Sequence, residues 1–425
     1  MELTNPWISQ IKYQDPATGF NLASPSMVKL DTGELLASYD YQWSGDFPKT
    51  ENKDKRGYRE TEGLPEALSH HEDITDLKLD QYITSVYRSD DDGLTWELTG
   101  DIKGSTGGKL FVNRGSAYLI SNLYEYGSLV IRRSDDKGST WTDPVDEDSG
   151  FLFRAGKAYE PPNYHHVPSN VLKFEGRLYT AYENNDPWHW PKGLRAFVLS
   201  ADEESDLLKA SSWRKSNEVV FPGDPAGRVD GWMEGNIVVD SDGQLCSVMR
   251  IQPVLDGDAR RESYMSGKTK YAIDKAAFLK IENEGRQLVN DPERWCVDLP
   301  GAMTKFTIFR DDIGGRYWLI ANDMFTGPPR VHRNILSLFS SEDLSSWIRH
   351  KVLMEDRHEK TPEESTLKTG FQYADWQFDG DDIIYVVRTA YKGAPNYHDA
   401  NRITFGRVED FRKFSQSGEL WLSDS

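Results

Sequence analysis

Apolar and polar residues alternate along most of the chain with the period of two expected of strands buried on one face. One unit recurs: an apolar strand, a short glycine-containing turn, then a more strongly apolar strand. It reads MVKLDTGELLASY at 27–39, KLFVNRGSAYLI at 109–120 and VLKFEGRLYTAY at 171–182. It returns as NIVVDSDGQLCSVMR at 236–250, FTIFRDDIGGRYWLIA at 306–321 and WQFDGDDIIYVVRTAY at 376–391. A second hairpin follows each of these. Twice its turn is nearly the same, SDDDGLTW at 89–96 and SDDKGSTW at 134–141. Worn copies lie in LSADEESDLLKASSW (199–213) and FSSEDLSSW (339–347), while FLKIENEGRQLV (278–289) and ITFGRVEDFRKF (403–414) fill the same slot. In the octapeptide an Asp is expected to accept backbone N–H bonds, Gly93 or Gly138 to take a positive φ, and the Trp to pack over the hairpin.

Paired inner and outer hairpins of this kind predict an all-β fold, a single β-propeller of four-stranded blades spanning residues 1–425. Six blades are counted, and 142–165 and 252–275 leave room for a seventh. WISQIKY at 7–13 is a spare strand that closes the ring beside FRKF at 411–414. Helical periodicity is scarce, and no linker-like shift in composition divides the chain as separate β-sandwiches would require. The pattern S-x-D-x-G-x-T-W is similar to the Asp-box of sialidase-like propellers. That resemblance implies an architecture and not a reaction, because the group holds hydrolases, lyases and non-catalytic binders.

Composition narrows the partners. A net charge of −19 repels nucleic acid and anionic membranes, while a local Arg cluster still admits a small acidic ligand. Thirteen tryptophans suit sheet packing or a carbohydrate surface. Cys246 and Cys296 are too few for a disulfide framework. No stretch approaches the length of a membrane span, and MELTNPWISQ has neither a basic nor an apolar leader region. A soluble monomer is expected, cytoplasmic as written, or secreted or periplasmic if a leader was trimmed. No metal or phosphate motif occurs. A calcium ion in the central channel, held by carbonyls and carboxylates, is compatible with the sequence but is marked by nothing in it.

In a propeller the first–second and third–fourth turns of each blade share one face, here tightly trimmed. The long loops share the other, and chemistry is expected there. His70, His71, His165, His166, His189, His332 and His398 all fall on that face, and His350 falls off it. NYHHVPSN places Tyr164, His165 and His166 where a strand emerges beside the channel. YENNDPWHW offers Glu183, Trp188 and His189, and GWMEGN offers Trp232 and Glu234. RTAYKGAPNYHDANR supplies Arg388, Tyr391 and His398, and Arg250, Arg330 and Arg333 end or flank other inner strands.

A sialidase needs three arginines for the substrate carboxylate, one of them in a Phe/Tyr-Arg-Ile-Pro segment near the start, and a Tyr–Glu nucleophile pair. The corresponding LASPSMVKL has no Arg. GFQYADWQFDGDDIIYVVRTAY…NYHDANRITF and YEPPNYHHVPSN instead resemble propellers acting on rhamnose–glucuronate linkages, the rhamnosyl-glucuronate lyases with their ulvan lyase and dehydratase kin. One departure stands out: where that group would carry a catalytic His, this chain reads SYDYQWSG, with Tyr39, Tyr41 and Trp43. The resemblance implies a carbon–oxygen lyase that eliminates from a uronate. His166 or His165 would be the base, Arg250 or Arg388 would neutralise the carboxylate, and Tyr391 or His398 would donate the proton. Trp43, Tyr164, Glu183, Trp188, His189, Trp232, Glu234, Arg330, His332 and Arg333 would line the sugar site. An exo-glycosidase of sialidase or rhamnosidase type and a non-catalytic glycan-binding propeller are the alternatives.

Overall fold

A computed structural model describes residues 6–43, 82–156, 160–254, 273–323, 332–359 and 361–421. Six antiparallel sheets follow one another along the chain as a six-bladed β-propeller. Blade 1 runs through Phe20–Lys29, Leu35–Trp43, Ile83–Ser89 and Glu97–Lys103, and blade 2 through Thr106–Asn113, Ser116–Asn122, Leu129–Ser134 and Phe151–Phe153. Blade 3 splits its innermost strand into Tyr164–His165 and Leu172–Phe174 before Arg177–Asn185, Leu194–Asp202 and Trp213–Lys215. Blade 4 comprises Val229–Val239, Leu245–Pro253, Lys275–Glu282 and Gln287–Asn290, and blade 5 Thr307–Arg310, Tyr317–Asn322, Ile335–Ser341 and Trp347–Glu355. Blade 6 has Gly370–Asp379, Asp382–Ala390 and Arg402–Val408, and its outermost strand is the N-terminal Ser9–Tyr13.

The spare N-terminal strand therefore closes the ring, but against Arg402–Val408. FRKF forms a 3-10 turn instead (Phe411–Gln416). Room for a seventh blade in 142–165 is taken by the outermost strand of blade 2 and the start of blade 3.

The predicted turn chemistry is present. Ser89 Oγ accepts from Gly93 N at 2.9 Å, Asp91 Oδ1 from Thr95 N at 2.9 Å, and Trp96 Nε1 donates to Gly93 O at 3.1 Å. The second copy repeats this with Ser134, Asp136, Thr140 and Trp141. Gly93 and Gly138 stand at φ +85° and +82°. In the copy around Trp347 the left-handed residue is Leu344, and Ser341 and Asp343 still accept the turn N–H groups.

Hydrophobic clusters lie between consecutive blades. Leu36, Val86, Leu110 and Leu119 join blades 1 and 2, Ile120, Ile131, Tyr182 and Phe197 join 2 and 3, and Ile237, Met249, Ala181 and Val198 join 3 and 4. Corresponding clusters join 4 to 5, 5 to 6 and 6 to 1. Around the axis polar pairs stitch the innermost strands. Asn170 exchanges hydrogen bonds with Ile237 at 2.7 and 2.8 Å, Asn236 does the same with Ile308, and Thr307 Oγ1 donates to Ala374 O. Asp375 accepts from Ser26 Oγ and Met27 N, joining blade 6 to blade 1.

One distortion recurs where chemistry would need it. The innermost strands of blades 1, 2, 4 and 6 break register at Ala23/Ser26, Thr106/Lys109, Met233/Asn236 and Gln372/Asp375. A left-handed residue sits in each break: Ser24, Gly107, Glu234 and Tyr373. A bulge re-aims a side chain, and a left-handed Glu or Tyr is uncommon enough to mark a site. Gly107 has no choice, because a Cβ there would lie 2.4 Å from His166 O.

Candidate active site

The two strained bulges meet. Tyr373 Oη of blade 6 donates to Glu234 Oε1 of blade 4 at 2.8 Å, and Arg250 Nη1 donates to Glu234 Oε2 at 2.7 Å. Arg250 also donates to Met303 O at 3.1 Å, which aims its planar fork at the carboxylate. Burial alone would favour the neutral acid at Glu234. The field and hydrogen bond of Arg250, with the charges of His165 and Lys305, hold its carboxyl below the usual range.

Two further guanidiniums flank Tyr373, with Arg388 Cζ 5.5 Å and Arg333 Cζ 5.9 Å from its ring centre. Arg388 Nη2 donates to His398 O at 2.7 Å, and Arg333 donates to Gln372 Oε1. A short helix, Pro362–Lys368, buttresses both loops: Leu367 O accepts from Tyr397 N, and Ser365 Oγ from Asn334 Nδ2. Lys109 and Lys305 add two buried amines on the axis. Lys109 Nζ is bidentate to Asp375 at 2.7 and 2.6 Å, and Lys305 Nζ donates to Phe306 O. Burial pushes Lys305 down to about 8. Among these axial side chains cations outnumber carboxylates, in a protein whose net charge is −19.

On the blade 3 side His165 Nδ1 lies 2.8 Å from Glu183 Oε2, and Glu183 Oε1 accepts from Gly235 N at 3.3 Å, beside Glu234. Burial opposes a charge on His165, but the hydrogen bond and field of Glu183, with Glu234 and Glu125 beyond, raise its pKa. Tyr126 lies 5.6 Å from the His165 ring and 4.7 Å from that of Trp188.

The structure brings some of the sequence-predicted residues together and not others. His165, Glu183, Glu234, Arg250, Arg333, Arg388 and His398 converge on the axis. His398 Nδ1 lies 2.9 Å from Asp399 Oδ1 and 3.4 Å from Arg388 Nη2, and burial with the Arg388 field keeps its ring neutral. His166 adjoins His165 in sequence but is packed: its ring stacks 4.0 Å from Tyr182 and its Nδ1 is 2.6 Å from Gly107 O. Tyr164 sits in the blade 2–3 core, T-shaped to Phe197. Trp232 is fully buried, bonded to Leu194 O and edge-on to Phe221 and Trp295. Tyr391 packs against Trp7, Phe371 and His358, and not beside Glu234. Those four side chains belong to the packing of the blades. His189 is exposed beside Trp188, and His332 is half-buried next to Arg333. Trp43 ends the second strand of blade 1, opposite Phe20. Arg330, His70 and His71 lie outside the described residues.

Tyr373, Tyr126, Lys109, Lys305 and Asp375 were not singled out by sequence reasoning. Charged residues inside apolar inner strands, in GGKLFV and YADWQF, were the available signal. Among the described residues no three His, Cys, Asp or Glu side chains are grouped to hold a metal ion, and no helix is long and apolar enough to cross a membrane.

Neutral buried imidazoles carry a pH consequence. Burial pushes His166 down to about 3, against an ordinary value near 6.5. Below about pH 6.5 the unfolded chain takes up a proton that the folded ring refuses. Stability from this group is therefore full above pH 6.5 and falls as pH drops toward 3, by on the order of 5 kcal/mol in the limit. His398 acts in the same direction. Asp40, pushed up to about 6 by burial, opposes the trend between about pH 4 and 6, so the test is a difference. His166→Asn keeps a donor for Gly107 O but cannot titrate, and its urea midpoint is expected to fall less between pH 7 and 4 than that of the wild type.

No family model matches the sequence, and no curated protein matches it. Solved structures do. The Hadza microbial sialidase Hz136 is similar over 94% of this chain and 68% of its own, at 13% identity and a TM-score of 0.53. The α-L-arabinofuranosidase Arb93A from Fusarium graminearum is similar over 95% and 98%, at 11% identity and a TM-score of 0.54. The α-L-arabinanase of Penicillium chrysogenum, solved with arabinobiose, is similar over 96% and 98%, at 14% identity and a TM-score of 0.51. These likenesses show a sialidase-like propeller fold. They also correct the expectation of a carbon–oxygen lyase, because these three neighbours are glycosidases.

Proposed function

We propose that the protein is a glycoside hydrolase with a tyrosine nucleophile, acting on a sugar that carries a carboxylate. One observation carries the reading: the 2.8 Å hydrogen bond from Tyr373 Oη to the anionic, Arg250-held Glu234. A phenol is a weak nucleophile until an adjacent base accepts its proton, and Glu234 stands in that position. A neutral phenol also suits a substrate whose own carboxylate lies near the anomeric carbon, because an anionic nucleophile would be repelled there. Tyrosine nucleophiles are known among sialidases.

The steps follow from the arrangement. Arg333 and Arg388 take the substrate carboxylate beside the Tyr373 ring, their planar forks matching its two oxygens. Tyr373 Oη attacks the anomeric carbon while its proton passes to Glu234 Oε1. His165, whose pKa is raised by the hydrogen bond to Glu183 against the effect of burial, gives its Nε2 proton to the departing glycosidic oxygen. A water then attacks the tyrosyl glycoside, His165 takes its proton, and Glu234 returns its own to Tyr373. The sum is cleavage with one water added and retention at the anomeric carbon. The LASPSMVKL segment lacks the arginine of a sialidase, so the acidic sugar is left as a class, and the arabinose-acting neighbours do not account for the guanidiniums.

The test compares fluorogenic glycosides of sialic acid, glucuronic acid and arabinofuranose. An acidic glycone is expected to be hydrolysed in preference to arabinofuranose, with products heavier by one water in sum. Arg388→Met is expected to lower kcat/KM on the acidic glycoside by at least ~100-fold, the loss of a charge-assisted contact made in the transition state. Turnover of arabinofuranoside alone, or an Arg388→Met enzyme of full activity, would overturn the reading.

A further inference from the structure

We propose that Tyr126 and Trp188 form the subsite for the leaving group, and that this group is a neutral sugar with an apolar C–H face. The inference rests on the hydrolase reading for its direction: it takes the arginine side as the seat of the sugar that becomes bonded to Tyr373. The two halves of the site differ in chemistry. Arg333 and Arg388 come from blades 5 and 6, whereas Tyr126 and Trp188 come from the long loops of blades 2 and 3. His165 links the aromatic side to Glu234: its ring lies 5.6 Å from Tyr126, and its partner Glu183 accepts from Gly235 N, next to Glu234.

Both rings are held where a folding argument alone would not put them. Trp188 is 39% exposed, although Trp232, Trp318, Trp347 and Trp376 are all fully buried. Tyr126 has φ +60°, a left-handed conformation that costs a non-glycine residue about 1–2 kcal/mol. That conformation brings its ring to 4.7 Å from Trp188, edge to face at 74°. The supporting loops are pinned. Asn122 Nδ2 bonds both Gly127 O and Tyr164 O, fastening the Tyr126 loop to blade 3. Asp186 pairs with Arg195 at 3.2 Å, His189 N donates to Asn185 Oδ1, and a Cβ on Gly193 would lie 1.9 Å from Pro187 O. Two rigid loops presenting one half-open aromatic corner next to a proton donor make a preformed seat. Aromatic faces take the C–H face of a sugar and offer nothing to a second carboxylate, which fixes the class of leaving group. A proton from His165 would then reach an oxygen bonded to a sugar lying on Trp188.

Two measurements on the full chain test this. In the first, the acidic glycone that the wild type hydrolyses is supplied as its lactoside and as its fluoride, which has no leaving-group sugar. Trp188→Ala is expected to lower kcat/KM at least ~10-fold on the lactoside, mainly through KM, and to leave the fluoride within ~2-fold. Trp188→Phe is expected to restore most of the loss. Equal losses on both substrates, or none on either, overturn the proposal. In the second, lactose is titrated calorimetrically. Binding that weakens at least ~10-fold in Trp188→Ala and persists in Tyr373→Phe supports the subsite even if no glycoside is turned over, an outcome that would sink the hydrolase reading alone. Absent or unchanged lactose binding overturns the subsite.

Discussion

Tyr373→Phe lowers kcat/KM by at least ~10³-fold, about 4 kcal/mol of transition-state stabilisation, while the fold and the affinity for substrate stay close to wild type. The substitution removes one atom. Phe keeps the ring between Arg333 and Arg388, so the cation–π contacts that seat those guanidiniums survive. It tolerates φ +55° as well or as badly as Tyr does. What disappears is the hydroxyl bonded to Glu234, which in the proposed mechanism attacks carbon and hands its proton to that carboxylate. Glu234 loses one of its hydrogen bonds, a penalty of about 1–3 kcal/mol before water replaces the donor, and keeps Arg250. The expected pattern is therefore a collapse of kcat with KM little changed, read from initial rates and confirmed by an unaltered circular dichroism melt within a few degrees. Mass spectrometry of denatured wild-type enzyme, quenched during turnover of a slow fluoro-substituted substrate, should show one glycosyl group on the peptide holding Tyr373. A Tyr373→Phe enzyme retaining a tenth of its activity would leave Glu234 or another group as nucleophile and remove the tyrosine from the mechanism.

How far such a site can be read from residues alone depends on sequence distance. The hairpins were legible because each is local: the turn, its glycine and its alternating strands lie within some fifteen residues, and burial on both sides of the inner strands makes them strongly apolar. The Asp turns were legible for the same reason. Tyr373 and Glu234 are 139 residues apart. Glu234 was legible as a candidate for the sugar site, but Tyr373 looks like one more residue of a strand. The pairing of the two stays hidden until the register breaks are seen, which needs backbone angles. Adjacent histidines misled in the opposite direction. Their two side chains diverge on a strand, so only His165 turns to Glu183, while His166 turns to Tyr182 and Gly107. Trp232 and Tyr391 drew notice by size and position, yet large aromatics more often fill the seams between blades. The arginines were legible as a set. What each one does was not, since Arg250 serves Glu234 whereas Arg333 and Arg388 flank Tyr373.

The largest stability effect is expected on the axis. Lys109 and Asp375 are both buried and bonded bidentately, so removing one partner strands the other charge away from water. A broken buried ion pair costs about 3–5 kcal/mol, far more than the intact pair contributes over an apolar substitute. Lys109→Met should therefore lower the urea unfolding free energy by that amount. The double change Lys109→Met with Asp375→Asn should recover most of it, because a neutral amide oxygen still accepts from Ser26 Oγ and Met27 N. The coupling in that cycle measures more than one pair. Asp375 belongs to blade 6, its acceptor contacts to blade 1, and Lys109 to blade 2, so the three groups fasten the ring where the chain's ends meet. Asp375 also lies two residues beyond Tyr373 in the same bulge. Loosening it should lower kcat in the single variant even below the unfolding transition, and the double variant should regain stability before it regains rate. A single-variant loss under about 1 kcal/mol would mean that water reaches the axis and screens the pair, and the dry electrostatics assigned to Glu234 would then have to be abandoned as well.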